Sequence, residues 1–83
     1  MTVEPLEELA GYELAQSYKQ RGIISGGIYT YWIYKKEGRT AELSFSSRGS
    51  WVVTANDGAR ELYAGYDRKA ATRRAKWYLD GVK

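Results

Sequence analysis

The sequence predicts an α+β domain: an N-terminal helix, a three- to four-stranded antiparallel meander sheet, and a basic C-terminal helix packed on one face. Three observations predict it. Residues 28–64 are dense in β-branched and aromatic side chains. That stretch is cut by short turn signals, Glu37-Gly38-Arg39, Arg48-Gly49-Ser50 and Asn56-Asp57-Gly58, and tight turns join antiparallel neighbours. Residues 67–79 carry a capped helical periodicity instead. No linker, repeat or low-complexity stretch divides the chain, so residues 1–83 form one domain.

The first element is predicted as a helix over residues 5–20. Pro5 suits a first turn and Gly22 a C-terminal cap. Leu6, Ala10, Leu14 and Tyr18 recur every four residues, flanked by Leu9. Gly11 inside this stripe costs about 1 kcal/mol relative to alanine, and marks a close contact or a break. Ser25-Gly26-Gly27 then gives a flexible entry to a strand, Ile28 to Lys36. Along that strand Ile28, Trp32 and Tyr34 face one way, and Tyr29, Tyr31 and Ile33 the other. Thr40 to Ser46 alternates, with Ala41, Leu43 and Phe45 inward. Trp51 to Ala55 is a third strand, and Arg60 to Ala64 a shorter fourth one.

Asp67 is placed as the N-cap of the last helix, where a carboxylate accepts from free backbone N–H groups. Five cations follow within nine residues, Arg68 to Lys76. On a helical wheel Ala71, Ala75, Tyr78, Leu79 and Val82 share one face, while Lys69, Thr72, Arg73 and Lys76 cluster opposite. Arg74 falls inside the apolar arc, where it lies along Trp77 or Tyr78 or meets an acid. Arg68 and Lys69 oppose the helix dipole, which implies a use for the pair or a partner such as Asp67 or Glu61.

Composition narrows the function. The 83 residues contain no cysteine and no histidine. Disulfides, thiolate metal sites, cysteine nucleophiles and the commonest general base are therefore excluded. Ser44, Ser46, Ser47 and Ser50 have no histidine to activate them; Ser–Lys chemistry is conceivable with Lys35 or Lys36, but serines at strand edges and turns are ordinary, and the glycines match no phosphate-loop pattern. The expectation is a protein that is not an enzyme, with no cofactor and no metal. No apolar run reaches the roughly 20 residues of a membrane span, and the acidic N-terminus is unlike a signal peptide, so a cytoplasmic location is expected. A chain of this length buries only about 60% of its unfolded surface, so its core is marginal and must come from its aromatics.

Net charge is +3, unevenly spread. Residues 1–13 hold four acids and no base; residues 60–83 hold seven bases against three acids. Dipole complementation accounts for the acidic end as readily as function does, and less well for the basic end. The basic helix points to a polyanion, with nucleic acid, duplex above all, as the first expectation and an acidic protein surface as the second. Tyr29 and Tyr31, on the face away from the helices, read either as a stacking platform or partner surface, or as a strand buried on both sides.

Two resemblances follow from these motifs. Asp67-Arg68-Lys69-Ala70-Ala71-Thr72-Arg73-Arg74-Ala75 resembles the last helix of double-stranded RNA-binding domains, with Arg68 and Lys69 in place of the basic pair and Ala71 and Ala75 in place of packing alanines. The order helix, strands, helix is also similar. That resemblance implies phosphate contacts by Arg68 and Lys69. Thr72 departs from it, as does Glu37-Gly38-Arg39-Thr40, which lacks the family's Gly-Pro-x-His loop. Residues 50–79 (Ser50-Trp51-Val52-Val53, Asp57-Gly58, Gly65-Tyr66-Asp67, then Ala70 and Ala71) resemble the sheet-plus-helix module of AP2 domains and arm-type recombinase domains. That second resemblance implies that Arg39, Arg48 and Arg60, with Trp51, read DNA from the sheet. The candidate nucleic-acid contacts are thus Arg68, Lys69, Arg73, Lys76, Arg39, Arg48 and Arg60, and the candidate stacking or partner surface is Tyr29, Tyr31 and Trp51. A small chain rich in Tyr, Trp and Arg also looks like a phage-type inhibitor or adaptor of the anti-CRISPR kind.

Overall fold

A computed structural model of the chain describes residues 4–22, 27–56 and 58–81. The class is α+β. Five antiparallel strands run in chain order across one sheet: β1 (Glu13–Arg21), β2 (Ile28–Lys36), β3 (Arg39–Ser46), β4 (Trp51–Ala55) and β5 (Arg60–Gly65). A helix, α1 (Arg68–Leu79), returns across one face. All four predicted strands, found as β2 to β5, and the last helix lie within a residue or so of their expected bounds.

The N-terminal helix is not there, and the sheet has one strand more than expected. Residues 7–9 form a single 3-10 turn, held by Leu9 N–H to Leu6 O at 3.0 Å and Ala10 N–H to Glu7 O at 3.3 Å. The chain then leaves the turn at Gly11 and enters β1. The four-residue spacing of Leu6, Ala10, Leu14 and Tyr18 misled for a definable reason. A bulge between Leu14 and Gln16 breaks the period-2 alternation of this strand, so Leu14 pairs with Tyr34 on the helix side while Tyr18 pairs with Tyr31 on the open side. Gly22 therefore closes a strand, its N–H donating to Gly27 O at 2.7 Å, and caps no helix. Ser25, Gly26, Asp57 and Val82 of the predicted turns and helix lie outside the described residues.

The core lies between α1 and the helix-facing side of β2–β5. Trp32, Tyr34, Ala41, Leu43, Trp51, Val53, Ala71, Ala75 and Leu79 are buried there. The small alanines bring α1 close to the sheet, as the wheel predicted. Because α1 packs on β3, β4 and β5, it leaves the inner side of β2 to be covered by something else. Leu6 and Leu9 do so from the 3-10 turn. Two polar tips fix that segment: Leu6 N–H donates to the Tyr34 hydroxyl at 2.7 Å, and Trp32 Nε1–H donates to Glu4 O at 2.8 Å.

The far ends of the elements meet in a second clasp. The Asp80 carboxylate, at the C-cap of α1, accepts from the Tyr12 hydroxyl at 2.6 Å and from Lys36 Nζ at 2.9 Å. Lys36 also lies 5.2 Å from the centre of the Tyr12 ring. At the start of α1, Asp67 Oδ1 accepts from Lys69 N–H at 3.0 Å, as predicted for the cap. Asp67 N–H in turn donates to the Tyr63 hydroxyl at 3.2 Å. Tyr63 lies along the strand over Gly65, where an added Cβ would fall 2.6 Å from the hydroxyl oxygen.

Tyr34→Phe leaves the buried Leu6 N–H without an acceptor and is expected to cost about 1–3 kcal/mol in denaturant unfolding. Leu43→Ala is expected to cost about 2–5 kcal/mol, enough to unfold a marginal domain; an unchanged midpoint would show that the core is elsewhere. The Asp80 clasp is pH-dependent at both ends. Hydrogen bonds from Tyr12 and Lys36 hold the Asp80 carboxyl below its usual 3.8, so its contribution is present above that value and is lost as pH falls through the lower folded value. Burial, then the bond to Asp80, pushes the Tyr12 phenol up to about 12, and Asp80 raises the Lys36 ammonium, so those contributions are lost as pH rises through their folded values. Thermal midpoints of wild type and Asp80→Asn should therefore differ near neutrality and converge as acid protonates the folded Asp80, below its usual 3.8; a difference that persists into strong acid would rule the clasp out.

Candidate nucleic-acid interface

The sequence-predicted residues divide among three places. Lys69, Arg73 and Lys76 lie exposed along the outer surface of α1. Among the described residues no carboxylate comes within ion-pair distance of them. A shallow groove follows Lys69, Thr72, Arg73 and Lys76, bordered on its other side by Glu8. Thr72 corrects the wheel: it is buried, and its hydroxyl donates to the Arg68 and Lys69 carbonyls at 3.0 and 3.1 Å. A hydroxyl satisfied by its own helix can sit at the packed edge without a partner across it.

Arg68 has found the acid that its position called for, though not one the sequence singled out. Its guanidinium pairs with Glu8 at 3.0 Å, with both side chains partly exposed. Such a pair is weak and exchangeable. Arg74, set in the apolar arc, lies 5.2 Å from the centre of the Trp77 ring, the first of the alternatives open to it. Trp77 remains exposed.

The sheet arginines and Trp51 do not assemble into one surface. Arg39 is occupied at the C-terminus of α1, donating to Tyr78 O at 3.0 Å with its guanidinium 5.5 Å from the Tyr78 ring centre. Arg60 opens β5 at that same end of the sheet. Arg48 sits in the β3–β4 turn at the opposite end, where α1 begins. Trp51 is buried on the helix side, stacked 5.6 Å from Trp32 and tilted 4.7 Å from Phe45, so it offers no ring to the open face.

Tyr29 and Tyr31 do lie on the open face, the side of the sheet away from α1. Tyr18 of β1 joins them: its ring stacks on Tyr31 at 4.8 Å, and Tyr29 stands 6.4 Å from Tyr31. The rings are half-buried by one another rather than by a covering layer. Burial first, then the neighbouring Glu42, raises the Tyr18 phenol; burial first, then Tyr18, Glu42 and Tyr29, raises that of Tyr31. These two tyrosines stay protonated near neutrality and present hydroxyls beside a carboxylate. Sequence reading missed Tyr18 because it placed that residue on a helix.

The chain matches no family model, no curated protein and no solved structure. No helix among the described residues is long and apolar enough to cross a membrane, and no group of three or more acidic side chains there is placed to hold a metal ion.

Changing Tyr18 to Ala removes one half of a stacked cross-strand pair and is expected to destabilise the domain by about 0.5–1.5 kcal/mol. A double-mutant cycle with Tyr31→Ala checks this: a coupling energy near zero would show that the two rings act independently.

Proposed function

We propose that this protein is a small non-catalytic nucleic-acid-binding domain that contacts phosphates through the outer face of α1. The observation that carries this reading is the exposed row Lys69, Arg73 and Lys76, which forms no ion pair among the described residues, with Lys76 acting on the Asp80 carboxylate only at longer range. These residues span seven helical positions, about 10 Å along the axis, comparable with three nucleotide steps of a duplex strand. The alternative use of the row, as ion-pair partners of the acidic N-terminal segment, is taken by Arg68 alone. Of the two resemblances, contact at the helix start is the better supported, because Arg68, Lys69 and Arg48 share one end of the molecule while Arg39 and Trp51 are engaged inside it. Glu42 and Glu61 on the open face make that side a poorer surface for phosphate.

A second reading, a protein-binding inhibitor or adaptor, is favoured by the Tyr18, Tyr29 and Tyr31 row. Tyrosine clusters are common interface anchors. The two readings use opposite sides of the molecule and so separate cleanly.

With three phosphates engaged on duplex, log K should fall with log salt at a slope of about −2.7, or about 40-fold between 50 and 200 mM. The Lys69→Gln, Arg73→Gln, Lys76→Gln variant should lose most affinity for duplex and flatten that slope in fluorescence anisotropy, while Tyr31→Ala leaves it unchanged. Absence of binding by wild type at 50 mM salt would end this reading. Stoichiometric co-purification of a partner that is lost with Tyr31→Ala would favour the second one.

A further inference from the structure

On the helix-facing side of the sheet, α1 does not reach the outer half of β1 and β2. The strand register there brings Lys19, Thr30, Phe45, Trp51 and Gly65 into one row across all five strands. A cleft of about 460 Å³ opens over the middle of this row. Its apolar lining is Pro5, Leu6, Trp32, Phe45 and Trp51, with Glu4 and Arg68 also on its wall. Phe45 is only half-buried, and Trp32 and Trp51 line the cleft with 6% of each residue exposed. Lys19 ends the row on the β1 side, and Arg21, also exposed, follows it on the same face.

From this juxtaposition we propose that the cleft takes one unpaired nucleobase of a single strand, the ring against Phe45 beside Trp32 and Trp51 and the flanking phosphates between Arg68 and Lys19. The inference rests on the α1 reading and adds the strand class. Three features select this occupant. The lining is aromatic, and a base ring stacks on such surfaces without regard to sequence. Arg68 stands on the cleft wall and the exposed Lys19 lies two strands from Phe45 in the same row, which suits a ring that carries phosphates rather than a neutral apolar side chain. Arg68 directly precedes Lys69 in the exposed row, so a strand lying along α1 passes the mouth of the cleft. Glu4 opposes this with one negative charge, and the Arg68–Glu8 pair, being partly exposed, can give up its guanidinium to a phosphate.

The test uses the intact protein carrying Trp77→Phe, which leaves Trp32 and Trp51 as the reporting tryptophans of three in the chain. Ten-nucleotide oligothymidylate, an abasic oligonucleotide of equal length and charge, and thymidine monophosphate are titrated by tryptophan emission and by anisotropy. Oligothymidylate should bind about tenfold tighter than the abasic strand, and it alone of the two should change the emission. Phe45→Ala should erase this preference. Should that variant fail to fold, Phe45→Leu, which keeps an apolar side chain but removes the ring, should reduce it several-fold while abasic binding holds. Equal affinity for the two strands with unchanged emission overturns the cleft and leaves the α1 reading standing. No affinity for either strand while duplex still binds at 50 mM salt overturns the cleft alone; no affinity for duplex as well ends the α1 reading and the cleft with it. A change in emission with protein concentration alone would seat a second copy there and overturn the proposal.

Discussion

The hydrogen bond from the Leu6 amide to the Tyr34 hydroxyl is the constraint on which the rest of the molecule depends. One twelve-residue helix cannot cover the face of a five-stranded sheet, and α1 lies over β3 to β5 only. The inner side of β2 carries Trp32 and Tyr34, two large rings whose polar tips need partners when they are buried. The N-terminal segment supplies both partners from its backbone and, in the same few residues, places Leu6 and Leu9 over the exposed apolar surface. Satisfaction of polar groups and closure of the core are thus one event. A chain without disulfides, and with so small an interior, has few other ways to seal itself.

That closure also arranges the charge. Folding the acidic segment back against α1 carries Glu8 to Arg68 and compensates the cation that most opposes the helix dipole. At the other end Asp80 gathers Lys36 and Tyr12, and Arg39 turns inward to a helix carbonyl. Among the described residues Lys69, Arg73 and Lys76 along α1 form no ion pair, and neither do Lys19 and Arg21 on β1. The net charge of +3 understates this separation, because compensated and uncompensated cations sit at different places on the same small surface.

Most of the sheet and the helix could be read from local signals. Phe45, Leu43 and Ala41 alternate without interruption, Asp67 caps where a cap belongs, and Ala71 and Ala75 mark the packed side of α1. The first strand could not be read, because its bulge replaced a period of two with a spacing that imitates a helix, and because an edge strand with few buried residues has little hydrophobic pattern to show. The same error hid Tyr18 and Lys19, which join the rings of β2 on the open face and the row beneath the cleft on the other. Trp51 and Arg39 were misplaced for a different reason. Their residue types suit a surface as well as an interior, and only the register and the helix C-terminus decide which they occupy.

Gly65 sets a quantity that no ligand-facing residue controls. The Tyr63 ring can lie flat over it and meet the Asp67 amide only because no methyl group stands between them. A residue with a side chain here would push the end of that ring aside and take its hydroxyl away from the Asp67 amide at the start of α1. Should α1 bind as proposed, a change at Gly65 would reach its first turn through the Tyr63 hydroxyl alone, so loss of binding by itself would not place a residue at the interface.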